Sequence, residues 1–158
     1  MDRIKVLVNY YGLVPHSEGG LFNEVYKAPF SVDGEKRSTA ASIYFLLDGK
    51  EVSHFHQIDC DEIWYYHEGC GMKLTMVDKD GNIEYKLLGT DVKKHEEMML
   101  LIPKGIIFAA ENIDKESYTF ISCATTPCFT YEGFRLVYKS EIEKLCGDKA
   151  KDVIHFAY

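Results

Sequence analysis

The sequence has no long apolar run, no surplus of positive charge and no Cys-x-x-Cys pair, and each absence closes off a class of protein. No stretch is long and apolar enough to span a bilayer as a helix. The opening residues Met1-Asp2-Arg3-Ile4-Lys5-Val6 interleave charges with apolar side chains, and no small-residue cleavage site follows them. That pattern argues against a secretory leader and for a cytoplasmic location. Lys and Arg number 18 against 25 Asp and Glu, a net charge of −7, which argues against nucleic acid or an anionic membrane as partner. An anionic small ligand stays open, because a pocket can be locally basic. The five cysteines are odd in number and unpaired in spacing, which argues for free thiols in a reducing compartment rather than a disulfide framework or zinc knuckle. Cys60 is a candidate reactive thiol only through its position beside a histidine-rich stretch. There is no internal repeat, low-complexity tract or linker.

What remains is a chain of 158 residues, 46% hydrophobic and 13% aromatic, enough to fill one core. A single domain over 1–158, with its core at about 20–138, is the expectation. Asp2 to Leu13 has Ile4, Leu7, Val8 and Tyr11 at helical spacing, with Gly12 as a stop. Leu13 to Gly20 reads as a structured loop, in which Gly19 and Gly20 permit positive φ or close backbone approach. Leu21 to Tyr26 reads as a strand, and Pro29 to Arg37 as a polar, mobile loop. From Thr39 onward short strands follow one another with turn punctuation. They are Ser42 to Leu47, Glu51 to Ile58, Glu62 to Gly69, Lys73 to Asp78, Ile83 to Leu88, Met98 to Ile102, Ile106 to Ala110, Tyr118 to Thr125 and Phe134 to Tyr138. Asp80-Gly81 is a hairpin signal. This spacing predicts an antiparallel sandwich or barrel. Ser140 to Cys146 reads as a short helix with Ser140 as N-cap, Glu143 completing a capping box and Gly147 as stop. The tail, with Val153, Ile154, Phe156 and Tyr158, is expected to dock on the rest.

The chemistry gathers in Ser53 to Gly69, which holds half of the histidines and the only tryptophan. Strict alternation would put Val52, His54, His56 and Ile58 on one, core-facing side of a strand. After the turn at Asp59 to Asp61, Glu62, Trp64 and Tyr66 share a face. Pairing of the two strands would bring two imidazoles and a carboxylate together inside a β-structure. Buried groups of that kind are paired, ligated or functional. His16 and Glu18 in the Gly-rich loop read as hydrogen-bonded loop residues that cap the barrel or bridge to another subunit. His67, His95 and His155 read as surface or rim residues, and Lys93 to Glu97 as a solvated turn.

These residues resemble a known superfamily. Gly49-x4-His54-Phe55-His56-x5-Glu62-x6-Gly69 resembles the first cupin motif, and Pro103-Lys104-Gly105-x2-Phe108-x3-Asn112 the second, with Phe108 where a histidine is usual. A narrower resemblance, to the fifth cupin family, covers nearly the whole chain. It is carried by Pro15-His16-Ser17-Glu18-Gly19-Gly20-x-Phe22-x-Glu24-x-Tyr26, Thr39 to Leu47, Ser53-x-Phe55-His56, Asp61-Glu62-Ile63-Trp64, Leu88-Gly89, Pro103-x-Gly105 and Pro127-x-Phe129. Gln57 departs from that pattern, where arginine is frequent, as do Ile107 and Phe108.

The resemblance implies an all-β cupin jelly-roll, a double-stranded β-helix barrel, with short N- and C-terminal helices. It also implies a small-molecule ligand in the barrel and a homodimer. Two chemistries are open. In one, the protein is an acid–base isomerase or epimerase on a sugar-like or polar carbonyl compound. His56 is then the base, Glu62 its partner, Tyr66 or Tyr44 the acid, and Trp64, Tyr66 and Phe108 the walls. In the other, the same pocket binds a ligand without turnover. His54, His56 and Glu62 are candidate ligands for a weakly held divalent transition metal, with Phe108 replacing the fourth, and the alternative is no cofactor. Tyr44, His54, Trp64 and Phe108 are the candidate ligand contacts.

Overall fold

A computed structural model describes residues 2–29 and 37–158. Most of the loop expected at Pro29 to Arg37 therefore lies outside the described residues. The chain order begins with helix α1 (Arg3–Tyr11), then strands β1 (Val14–Pro15), β2 (Leu21–Lys27), β3 (Ala41–Asp48), β4 (Val52–Ile58), β5 (Asp61–Gly69) and β6 (Met72–Val77). It continues with β7 (Ile83–Leu88), β8 (Glu96–Glu97), β9 (Met99–Ile102), β10 (Ile107–Asn112), β11 (Tyr118–Thr126), β12 (Phe134–Leu136) and helix α2 (Lys139–Cys146).

Alternation along these strands sorts the side chains into an inside and an outside. On β3, Ile43, Phe45 and Leu47 point inward, while Tyr44 and Leu46 point out. The strands form two six-stranded sheets, in the orders β1-β2-β3-β11-β5-β9 and β12-β4-β10-β6-β7-β8. All pairs are antiparallel except β7 with the two-residue β8, a strand that the polar run Lys93 to Glu97 did not signal. The sheets face each other across a shared interior, which agrees with the jelly-roll expectation.

Each sheet's outer face has its own cover. Helix α1 presents Leu7, with Ile4, Val8 and Tyr11, to Leu46, Phe120 and Tyr44 on the first sheet. It stops at Gly12, in the left-handed conformation. The C-terminal segment lays Val137, Ile142, Val153 and Phe156 on Phe55, Ile107 and Ala109 of the second sheet, the expected docking of the tail. Helix α2 begins at Lys139, two residues earlier than a capping box with Ser140 as N-cap requires. Tyr138 occupies the N-cap position without a side-chain cap, and the Lys139 amide donates to the carbonyl of Tyr158 instead. Tertiary docking replaces the local cap.

The motif residues have structural reasons. Asn112 Nδ2 donates to the carbonyls of Leu47 and Gly49, 3.0 Å each, and so fastens the β3–β4 turn to the barrel. Gly69 has φ +106, and a Cβ there would lie 2.0 Å from the Tyr118 carbonyl oxygen. Only glycine fits that approach. Among the described residues, no helix is long and apolar enough to cross a membrane.

Candidate functional site

At one end of the interior the side chains stop short of filling the space, leaving a cavity of about 270 Å3. Strand β2 contributes Phe22 and Glu24, β3 Ser42 and Ile43, β4 His56 and Ile58, β5 Glu62, and β11 Cys123 and Thr125. The loop before β2 adds His16 and Glu18, and the segment after β11 adds Phe129 and Tyr131. The rest of the interior is packed with Phe45, Trp64, Met72, Leu74, Leu100, Phe108 and Ile121.

The position of His56 depends on an irregularity in β4. Phe108 on β10 is opposite His56, and Ala110 is opposite Ser53, so three residues of β4 span two of β10. This is a β-bulge at His54 and Phe55. It turns both Ser53 and His56 inward, and it puts His54 and Phe55 together on the outside. There His54 Nδ1 lies 3.1 Å from the Phe156 carbonyl oxygen, and its ring packs on Tyr158. Alternation alone placed His54 beside His56. The bulge overturns that expectation.

The bulge also recruits the Gly-rich loop. The His54 amide donates to the Glu18 carbonyl at 2.7 Å. Gly19, at φ +109, lies so close that a Cβ would meet the Val52 carbonyl oxygen at 2.2 Å. Held in this way, Glu18 turns its carboxylate into the cavity. Its Oε2 is 3.0 Å from His56 Nε2, and its Oε1 accepts a hydrogen bond from Ser53 Oγ at 3.2 Å. His56 Nδ1 is 2.7 Å from the His54 carbonyl oxygen. Both ring nitrogens of His56 therefore face oxygen acceptors, an arrangement an imidazolium satisfies.

The titration behaviour has the same cause. Burial pushes the His56 pKa down, but the Glu18 carboxylate outweighs it, and the net shift is upward. Burial pushes Glu18 up, but the charge and hydrogen bond of His56 outweigh it, and the net shift is downward. His16 differs. Its Nδ1 accepts from the Glu18 amide at 3.3 Å, and burial lowers its pKa against the pull of Glu18. The 3.5 Å approach of His16 Nδ1 to Glu18 Oε2 is thus a contact of a neutral ring and not an ion pair.

Glu62 is the second carboxyl of the cavity, 9% exposed. Burial and the nearby Glu18 charge raise its pKa to about 7, while His56, Trp64 and Cys123 moderate the rise. The Trp64 indole lies near it without closing a well-aligned hydrogen bond, so its Nε1 is a buried donor with no partner among the described residues. Two of the cavity's three carboxyls, Glu18 and Glu62, thus have their pKa values driven apart.

Of the candidate catalytic, ligand-binding and metal residues singled out in the sequence, the structure brings His56 and Glu62 to the cavity, where the loop residues His16 and Glu18 join them, and places the other candidates elsewhere. Trp64 and Phe108 form the packed floor, with the Phe108 ring centroid 4.0 Å from that of His56. Tyr66 faces inward but away from the cavity, and its hydroxyl donates to the Gly69 carbonyl at 2.6 Å. Tyr44 is on the outer face under α1, stacked on Phe120. Cys60 is fully buried, and burial pushes its thiol up to about 12, which removes the thiolate a reactive cysteine needs.

The metal set fails the same geometric test. His54 points outward, both nitrogens of His56 are committed, and Phe108 offers no donor atom. Among the described residues, no three His, Cys, Asp or Glu side chains are arranged to hold a metal ion. Glu18, read from the sequence as a hydrogen-bonded loop residue capping the barrel, is the residue whose place beside His56 that reading missed. The signal available was its position in the His16-Ser17-Glu18-Gly19-Gly20 loop, where the glycines allow the backbone to approach β4.

Comparison with known proteins agrees with this architecture. A family model described as Cupin superfamily (DUF985) matches residues 5–137. The uncharacterised protein YML079W of Saccharomyces cerevisiae is 25% identical, covering 99% of this chain and 87% of its own length. The structure is similar to protein SO0799 of Shewanella oneidensis, with a TM-score of 0.93 and 29% identity, covering 100% of this chain and 99% of that one. It is also similar to a hypothetical protein from Leishmania major, with a TM-score of 0.87 and 27% identity, covering 98% of each chain. Oxalate decarboxylase from Bacillus subtilis shares the fold alone, at a TM-score of 0.58 and 16% identity over 90% of this chain and 36% of the enzyme. The motifs, the double sheet and the family match together identify the chain as a member of the cupin superfamily, in the DUF985 family.

Proposed function

We propose that the protein is an acid–base catalyst for a small polar carbonyl compound, an isomerase or epimerase that moves a proton on and off carbon. The observation that carries this reading is the pairing, in one cavity, of a fixed Glu18–His56 ion pair with a carboxyl that titrates at about 7. Glu62 is the proton-transfer group, since a group with a pKa near the working pH is both available and strong enough. His56, kept cationic by Glu18, opposes the negative charge that develops on the substrate oxygen. Its role differs from that of a free general base, because neither ring nitrogen has a lone pair to offer. The cavity volume suits a single-ring or shorter compound and not a nucleotide-linked one.

A second reading, a ligand-binding protein without turnover, is favoured by one observation. Both His56 nitrogens are committed to protein oxygens, so no ring N–H is free to protonate a ligand. Incubation with small aldoses and ketoses in D2O separates the two. The catalytic reading expects deuterium to enter at the carbon beside the carbonyl, and the rate to fall about 100-fold or more in Glu62→Gln. Saturable binding with no deuterium incorporation would leave the binder. A homodimer belongs to the same proposal. Met99 and Leu101 on edge strand β9 are exposed and suit a second copy. Sedimentation velocity reads the state directly, and a monomer at micromolar concentration would retire it.

A further inference from the structure

The cavity's charges do not balance. Glu18 and His56 cancel each other, and His16 is neutral. Glu24 at the mouth has no ion-pair partner among the described residues, and Glu62 deeper in has none either. No Lys or Arg lines the cavity among those residues. Arg37 and Arg135 are already occupied. Arg37 forms a bidentate pair with Asp59 and donates to the Cys128 carbonyl. Arg135 forms a bidentate pair with Glu141 and donates to Gln57. Glu62 is nine-tenths buried, faces the cavity and makes no well-formed hydrogen bond to the protein. A buried acceptor left open in this way calls for a donor from outside.

The apolar part of the lining has a matching character. Phe22 shares the inward face of β2 with Glu24, two residues away. Phe129 and Tyr131 meet edge-to-face at 5.2 Å, and Tyr131 is 61% exposed at the mouth. Aromatic rings beside unpaired carboxylates attract a cation through their π faces and repel an anion.

We infer that the ligand of this cavity is cationic: a small polar compound with a primary ammonium group, seated among Phe22, Phe129 and Tyr131, paired with Glu24, and hydrogen-bonded to Glu62. The inference rests on the reading of the cavity as the ligand site and not on turnover. An anionic ligand, open from composition alone, would meet uncompensated carboxylates. A neutral polyol would gain nothing from the Glu24 charge.

The test uses three probes of one size, glucosamine, glucose and glucuronate, titrated into the full chain and read by calorimetry and by the His56 imidazole NMR signals. Glucosamine is expected to bind about tenfold more tightly than glucose or better, with glucuronate weakest. Glu24→Gln, an exposed substitution that leaves the fold in place, is expected to lose about tenfold for glucosamine and nothing for glucose. Glucose binding as tightly as glucosamine, glucuronate binding more tightly, or none of the three perturbing His56 would each overturn the inference. Deuterium incorporation measured on the same samples tests the catalytic reading separately. Glucosamine bound without exchange removes turnover and leaves the cation preference standing. Exchange without discrimination by charge does the reverse.

Discussion

The two ends of the barrel interior are built from the same strands but by opposite rules. At one end, Phe45, Trp64, Phe108 and Ile121 fill the space, and among the described residues the indole of Trp64 and the Oδ1 of Asn112 are the inward polar atoms left without a partner. At the other, Glu18, His56 and Glu62 are buried at a cost that only their mutual arrangement offsets. The filled end supplies stability. The open end spends some of it on a charge pattern, which is what makes it the candidate site.

That contrast can be broken at the floor the two ends share. Phe108→Ala is expected to cost about 3–5 kcal/mol in urea unfolding, because it opens a void under His56. A loss below about 1 kcal/mol would mean the packed end is not the source of stability.

Breaking the ion pair comes next. Glu18→Gln is expected to cost about 3 kcal/mol, as it leaves His56 buried without its counter-charge. The pH dependence has a definite sign. The raised His56 pKa adds stability that is full below the ordinary value of 6.5 and is lost as pH rises through the folded value. The lowered Glu18 pKa adds stability that is full above 4.5 and is lost as pH falls through the folded value. The gap between wild type and variant should therefore be widest between about pH 4.5 and 6.5. NMR titration of His56 should show its pKa falling in the variant, and an unchanged pKa would sever the pair.

Glu62→Gln should act in the opposite direction. A carboxyl raised from 4.5 to about 7 penalises the fold as it ionises: stability is full below pH 4.5, falls as pH rises from there, and the loss is complete once pH has passed through about 7. The glutamine variant is expected to gain up to about 3 kcal/mol over wild type at pH 8 and almost nothing at pH 4. A variant less stable than wild type at pH 8 would make Glu62 a structural residue. The smallest effect is on the loop. Gly19→Ala is expected to cost about 1–3 kcal/mol and to lower the His56 pKa, because the added Cβ drives Glu18 off β4. A stability loss with an unmoved His56 would mean the loop can yield without displacing Glu18.

Most of the fold was readable because two-residue periodicity and turn residues are local signals. Ser42 to Leu47 alternates cleanly, Asp80-Gly81 marks its hairpin, and Gly12 ends its helix. The site was only half readable. Glu62 could be placed because β5 is regular as far as Tyr66. His54 could not, because a bulge is set by what the neighbouring strand and the covering tail demand, and Phe55 is drawn outward to Phe156 by tertiary packing. The pairing of Glu18 with His56 was invisible for a related reason. Glu18 is 38 residues from His56 in sequence, and only the backbone contact of its loop with β4 brings them together. The tyrosines were the weakest expectation, since a sequence with eleven of them carries no mark of which hydroxyl is free.

The bulge in β4 acts as a selector on a two-histidine motif. Strung on a regular strand, the pair would present both rings to the interior, as a claw for a cation of its own. With one residue of slack, the first ring becomes a clasp for the C-terminal tail, and the carbonyl of that same residue steadies the second. Which way the two rings of this motif face is therefore decided by strand length as well as by residue identity.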